Sequence, residues 1–117
     1  MSEIVTVIIP LFNGQQTILR CLDSLKSQTY KNIEVIIVND GSTDCSAELA
    51  KKYIQDNKLN GWQLHTIPNG GVAKARNFGI AMATGEYLCF VDADDYVDVE
   101  YVEKMLSALQ NSRSDFC

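Results

Sequence analysis

Hydrophobic positions along this chain switch period several times. Runs over residues 5–9, 33–38, 63–67 and 87–91 are rich in β-branched or aromatic side chains. The second and fourth are nearly continuously apolar, the pattern of strands covered on both faces. Between the runs, apolar positions recur at helical spacing. Ile18, Cys21, Leu22 and Leu25 form one stripe, Ala47, Ala50, Tyr53 and Ile54 a second, and Ala75, Phe78, Gly79 and Met82 a third. Val99, Val102, Leu106 and Leu109 predict a fourth helix after the last strand. The alternation of strand and helix predicts an α/β fold with a mainly parallel sheet and helices on both faces. Its crossovers are expected to be right-handed. Ligands of such sheets bind outside the carboxyl ends of the strands. The segments leaving those ends, residues 10–14, 39–44, 68–71 and 92–95, hold most of the turn-forming and unusual polar residues.

Composition narrows the picture. The 117 residues make one domain, 46% hydrophobic and 21% charged, an ordinary globular balance. The formal net charge of -5 argues against nucleic acid as a partner, since an acidic chain gains nothing from counterion release. The apolar stretch at residues 4–9 is much too short to span a bilayer, and no basic region or cleavage site precedes it. Cysteines at 21, 45, 89 and 117 lack C-x-x-C spacing, which argues against zinc and against a disulfide scaffold. Cys21 and Cys89 read as small core residues, and a reducing cytoplasm fits best.

The sharpest candidate chemistry lies in Asp92-Ala93-Asp94-Asp95. If the chain is still extended after the strand, Asp92 and Asp94 point to the same side. Two such carboxylates repel unless a cation sits near them, and hard oxygen ligands suggest Mg²⁺ or Mn²⁺. Asp98, and Asp95 on the plainer reading, would serve the start of the final helix. A calcium EF-hand fails, because Tyr96 and Val97 stand where that loop needs a ligand and a glycine.

Three further segments are weaker alone. In 39–44, Gly41, Ser42, Thr43 and Asp44 read as turn and cap residues. Asp40, at the strand's end, is expected to face the cleft and accept a ring N–H such as uracil offers and cytosine does not. In 69–77, a glycine turn runs into a helix start, where backbone N–H groups and the helix dipole favour an anion. Arg76 there would grip a phosphate or pair with a surface acid. Pro10 fixes the end of the first strand, and Phe12 would stack on a base or pack in the core. His65, the only histidine, and Trp62 read as structural.

Together these segments resemble family 2 glycosyltransferases. Val7-Ile8-Ile9-Pro10-Leu11-Phe12-Asn13, Val38-Asn39-Asp40-Gly41-Ser42-Thr43-Asp44, Asn69 through Ala75-Arg76-Asn77, and Gly85-Glu86-Tyr87 with Phe90-Val91-Asp92-Ala93-Asp94-Asp95 carry the likeness. It covers nearly the whole chain, and all four in this order are highly specific. The resemblance implies the GT-A fold, a Rossmann-like sheet that binds a nucleoside diphosphate sugar and continues into an acceptor half. It implies transfer from a UDP-sugar with inversion, to an acceptor that is a glycan, a lipid-linked glycan or a protein. By this likeness Pro10, Phe12 and Asp40 would hold the uracil, Arg76 would face the diphosphate, and Asp92 the ribose or phosphate side. Asp94, with Asp92, would hold Mn²⁺ or Mg²⁺, while Asn13 and Asn69 complete the nucleotide-sugar set.

Two substitutions depart from the usual pattern: Phe12 stands where tyrosine is common, and Asn39 where a first aspartate is frequent. The family's general base belongs to the acceptor half, so it is expected beyond residue 117 and the chain reads as the donor-binding part, 1–117, truncated before that half. A parent enzyme in the cytoplasm or at the inner membrane face is expected, and peripheral membrane association and homo-oligomers are compatible with it. The alternative is a nucleotide-binding module without turnover.

Overall fold

The computed structural model describes residues 3–112. Four strands and four helices alternate strictly: β1 (Val5–Leu11), α1 (Ile18–Lys26), β2 (Ile33–Asp40), α2 (Ser46–Asp56), β3 (Trp62–Ile67), α3 (Val72–Met82), β4 (Tyr87–Phe90) and α4 (Tyr101–Ser112). The strands form one sheet in the order β3-β2-β1-β4, and every pairing is parallel. The predicted α/β architecture is therefore the observed one. Cys117 lies outside the described residues.

Strand parity decides what each face buries. Val5, Val7, Ile9 and Leu11 of β1 join Val35 and Ile37 of β2 in the larger core, with Ile18, Cys21, Leu22 and Leu25 of α1 and Val102 and Leu106 of α4. Ile36 and Val38 point the other way and pack with Ala75 and Phe78 of α3. Helices cover both faces, three on one side and α3 alone on the other. Gly79 lets α3 lie against the sheet: a Cβ there would come within 2.5 Å of Ile8.

Two helical stripes differ from expectation. Val99 is 48% exposed and precedes α4, which begins only at Tyr101. Asp98 caps that start, its carboxylate accepting the Glu100 N–H at 3.1 Å. Met82 closes the α3 stripe at 37% exposure, because α3 is the sole helix on its face and its outer side has no neighbour among the described residues.

The strand order creates a switch point. From β1 the chain moves outward to β2 and β3 through α1 and α2, then returns through α3 to β4 on the other side of β1. Crossovers of one hand require helices on opposite faces for the two directions. The loops after β1 and β4 consequently part, leaving a crevice at the strands' carboxyl ends.

Candidate functional site

A cleft of about 960 Å³ opens there, lined by segments following all four strands. Pro10, Phe12, Asn13, Asp40, Asn69, Asp92 and Asp94 all contribute to its wall. Arg76 does not line it, and stands one contact away.

Phe12 is 53% exposed, so its ring is a free face of the cleft and not part of the core. The next residue holds it there. Asn13 adopts φ 51°, a conformation that asparagine tolerates better than most. Its N–H donates to Ser42 Oγ at 3.0 Å, and its Oδ1 accepts the Thr43 N–H at 2.8 Å. Asn13 thus fastens the loop after β1 to the loop after β2. Asp44 reinforces the seam, accepting the Gln15 N–H at 3.2 Å and the Ser46 N–H at 2.9 Å. The hydroxyl of Ser46 makes a further short contact, and this bond above all lowers the Asp44 pKa. The turn-and-cap reading of 41–44 holds.

Asp40 is 4% exposed. Parity turns it toward α3, where Oδ1 accepts the Gly70 N–H at 2.8 Å and Oδ2 the Gly71 N–H at 3.0 Å. This corrects the anion reading of the glycine turn: the anion that those two N–H groups meet is the chain's own carboxylate. Each oxygen keeps a second lone-pair direction. The side chain of Asn69 donates to the Asp40 carbonyl at 2.9 Å, so β2 and the turn before α3 move as a unit. Gly41, at φ +69°, leaves room for Asn69, whose N lies 2.8 Å from where a Cβ would sit.

Opposite Asp40 stands the acid turn. β4 ends at Phe90, and residues 92–95 are not extended; the Asp95 N–H donates to the Asp92 carbonyl at 3.0 Å. The turn, and not strand alternation, gathers the carboxylates. Oxygens of Asp92, Asp94 and Asp95 lie within 4.8 Å of one another, all three residues exposed. Asp95 therefore belongs with the cluster and not with the helix start. Ala93, buried between them, anchors the turn. Its carbonyl accepts the Thr17 hydroxyl at 3.0 Å, and the Asp92 carbonyl accepts the Cys21 thiol at 3.6 Å. Burial, then the charges of Asp95, Asp92 and Asp94, push that thiol up to about 12, so it stays a neutral donor. Thr17 and Cys21 were missed as site supports because neither sits in a motif; their one signal is position on the first helical turns beside the acids.

Arg76 Nη2 lies 3.8 Å from Asp92 Oδ1, and the guanidinium sits 5.6 Å from the centroid of the Phe90 ring. Both partners are about half exposed, so the pair is weak and exchangeable. The Arg76 Nε is enclosed without an acceptor among the described residues. His65 is structural as expected, packing on Phe78 with ring centroids 5.5 Å apart, and Trp62 rests on Tyr53 at 6.1 Å.

Residues 6–117 match the family model described as Glycosyl transferase family 2. The chain belongs to that family. It is 40% identical over 116 residues to glycosyltransferase GlyG of Streptococcus pneumoniae serotype 4, a match covering 98% of the chain and 38% of that protein. Similarity to the uncharacterized glycosyltransferase YibD of Escherichia coli K12 reaches 46% over 102 residues, covering 87% of the chain and 29% of YibD. Among solved structures, S. aureus TarS 1-349 in complex with UDP-GlcNAc superimposes with a TM-score of 0.81 at 34% identity, over 92% of the chain and 31% of TarS. The mannosyltransferase PcManGT of Pyrobaculum calidifontis, in complex with GDP-Man and Mn²⁺, gives 0.85 at 28% identity, over 90% and 32%. The family 2 chain has the GT-A fold of these neighbours. It spans less than two-fifths of the length of these relatives.

Proposed function

We propose that residues 1–117 form the nucleotide-sugar-binding part of a glycosyltransferase that moves a sugar from UDP, with inversion, to a saccharide, lipid-linked or protein acceptor. The observation that carries this reading is the meeting of four sequence-distant motifs in one cleft at the sheet's switch point, with an apolar ring on one wall and a carboxylate cluster on the other. Phe12 stacks on the base, and a free lone pair of Asp40 accepts the uracil ring N–H. Arg76 exchanges its loose contact with Asp92 for the diphosphate, a better partner for a guanidinium. Asn13 and Asn69 act through the loops they fasten.

The acid turn suits a hard divalent cation: its donors are carboxylate oxygens only, close together and open to the cleft. Asp94 and Asp92, with Asp95, would hold Mn²⁺ or Mg²⁺. Such an ion supplies neutralisation of charge developing on the departing UDP. A Mn²⁺-containing complex of PcManGT supports this choice. No helix among the described residues is long and apolar enough to cross a membrane. A place in the cytoplasm or at the inner membrane face fits a UDP-sugar donor.

UDP and the acid turn are both anionic, so binding without a cation should be poor. UDP is expected to stabilise the fold only with Mn²⁺ or Mg²⁺ present, by about 2.7 kcal/mol at 100 times Kd, read as a rise in melting temperature. Asp94→Asn should remove most of the gain. Equal stabilisation in EDTA would overturn the metal assignment.

A further inference from the structure

At the other end of the sheet, where β2 and β3 begin, lies a recess of about 250 Å³ lined by Lys26, Tyr30, Lys31, Lys58, Leu59 and Trp62. With β2 eight residues long, it is roughly 25 Å from the donor cleft. Nothing in the donor reading accounts for it.

Its charge is the first anomaly. The chain carries a net charge of -5, yet three lysines converge here, and none makes an ion pair among the described residues. Of the acids nearby, Asp23 accepts the Tyr53 hydroxyl at 2.6 Å and Glu86 the Ile4 N–H at 2.9 Å, while Glu3 lies beside Tyr30, whose hydroxyl donates to the Glu3 carbonyl. A place after a helix carboxyl end would explain Lys26 or Lys58 singly. It does not explain Lys31, nor why all three border one hollow.

Backbone conformation is the second. Lys58 has φ 52°, in the left-handed region where glycine or asparagine is the usual choice. That residue closes α2 in a Schellman turn, its N–H donating to the Gln55 carbonyl at 3.2 Å and the Leu59 N–H to the Ile54 carbonyl at 3.1 Å, and asparagine would serve this turn better than the lysine that borders the recess.

The third is shape. Trp62 is half-buried against Tyr53 and does not protrude, and the large apolar side chains that stand exposed are all elsewhere on the molecule. A lipid bilayer is met by projecting aromatics; a concave wall with an indole and a phenol suits a discrete ring. The hollow is about the size of one monosaccharide.

We propose that this recess is a second binding site, taking a saccharide that carries an anionic group, phosphate or carboxylate. Trp62 and Tyr30 face the sugar ring, and Lys26, Lys31 and Lys58 surround the charge. The site is independent of the donor cleft in both residues and chemistry.

Trp62 is the only tryptophan and borders this recess as well as another beside Leu64 and Thr66, so its emission is the readout and the lysine variants assign the response to this recess. Titration of the full chain with glucose 6-phosphate should change the emission saturably, and raising NaCl to about 0.5 M should weaken it. Glucose itself should give no response. Lys58→Asn should lower affinity about tenfold while the melting temperature holds or rises, because asparagine accepts the left-handed backbone more readily. Lys31→Gln should weaken binding similarly, and Asp94→Asn should leave it unchanged. Inorganic phosphate matching glucose 6-phosphate in affinity and amplitude, a response confined to anionic lipid vesicles, or no response at all would overturn the proposal.

Discussion

At the end of β2, Asp40 accepts two backbone N–H groups from the turn that starts α3, and it lies in the wall of the donor cleft. Replacing it with asparagine sets an amide NH₂ against one of those donors. A buried donor left unpaired costs about 1–3 kcal/mol, so Asp40→Asn should lower the urea midpoint accordingly. If a second lone pair reads the base, wild type should favour UDP over CDP by about 1.5–3 kcal/mol, since cytosine offers no N–H at that ring position. Titration calorimetry with both nucleotides measures it, and the variant should lose the preference. Equal affinities in the wild type would leave Asp40 with the turn alone. The aspartate was legible in the sequence through its place after an apolar strand. Its partners were not, because a contact between residues 30 positions apart depends on which way the end of β2 turns. Asp95 shows the converse: its spacing suited a helix cap, and only the turn revealed that it joins Asp92 and Asp94.

Among the elements, α1 carries the acid turn along its length. Thr17 holds Ala93 at one end, and at the other Gln28, fully buried, donates to the Ser24 carbonyl at 2.9 Å and the Asp98 carbonyl at 2.6 Å. Its Oε1 accepts the Val102 N–H at 2.9 Å, which starts α4. Gln28→Leu keeps the volume and strands these groups, and should cost about 2 kcal/mol or more in a denaturant melt. Because the same bonds fix the segment from the acid turn to α4, Mn²⁺-dependent UDP binding should weaken as well. An unchanged melt would mean that water replaces the side chain. The elements themselves were legible, since β-branched runs and helical stripes obey periods that the backbone imposes. Gln28 was not: a lone glutamine in a polar stretch looks like any surface residue until two helices close over it.

For the whole molecule, the parallel order β3-β2-β1-β4 puts the donor cleft at the strands' carboxyl ends and a fastening network at their amino ends. At the fastening end, Glu34 ties β2 to β1 and to the loop before β4. Its Oε1 accepts the Thr6 hydroxyl at 2.8 Å and the Thr84 N–H at 2.9 Å, and its Oε2 the Thr84 hydroxyl at 2.8 Å. Burial alone would push this carboxyl up, but the bonds from Thr84 and Thr6 outweigh it and hold the pKa below the ordinary glutamate value. A depressed folded value means the unfolded chain takes up the proton first as pH falls. The contribution to stability is therefore complete at neutral pH, down to the unfolded pKa of about 4.3. It diminishes as pH falls further, through the lower folded value. Asp44 acts in the same direction at the other end. Urea midpoints should stay flat between pH 7 and about 6, then decline below about 4.5. Glu34→Gln should lower the neutral plateau and make the acid decline shallower, because its protonated form is already built in. A variant as steep as wild type in acid would assign the decline to the other carboxylates.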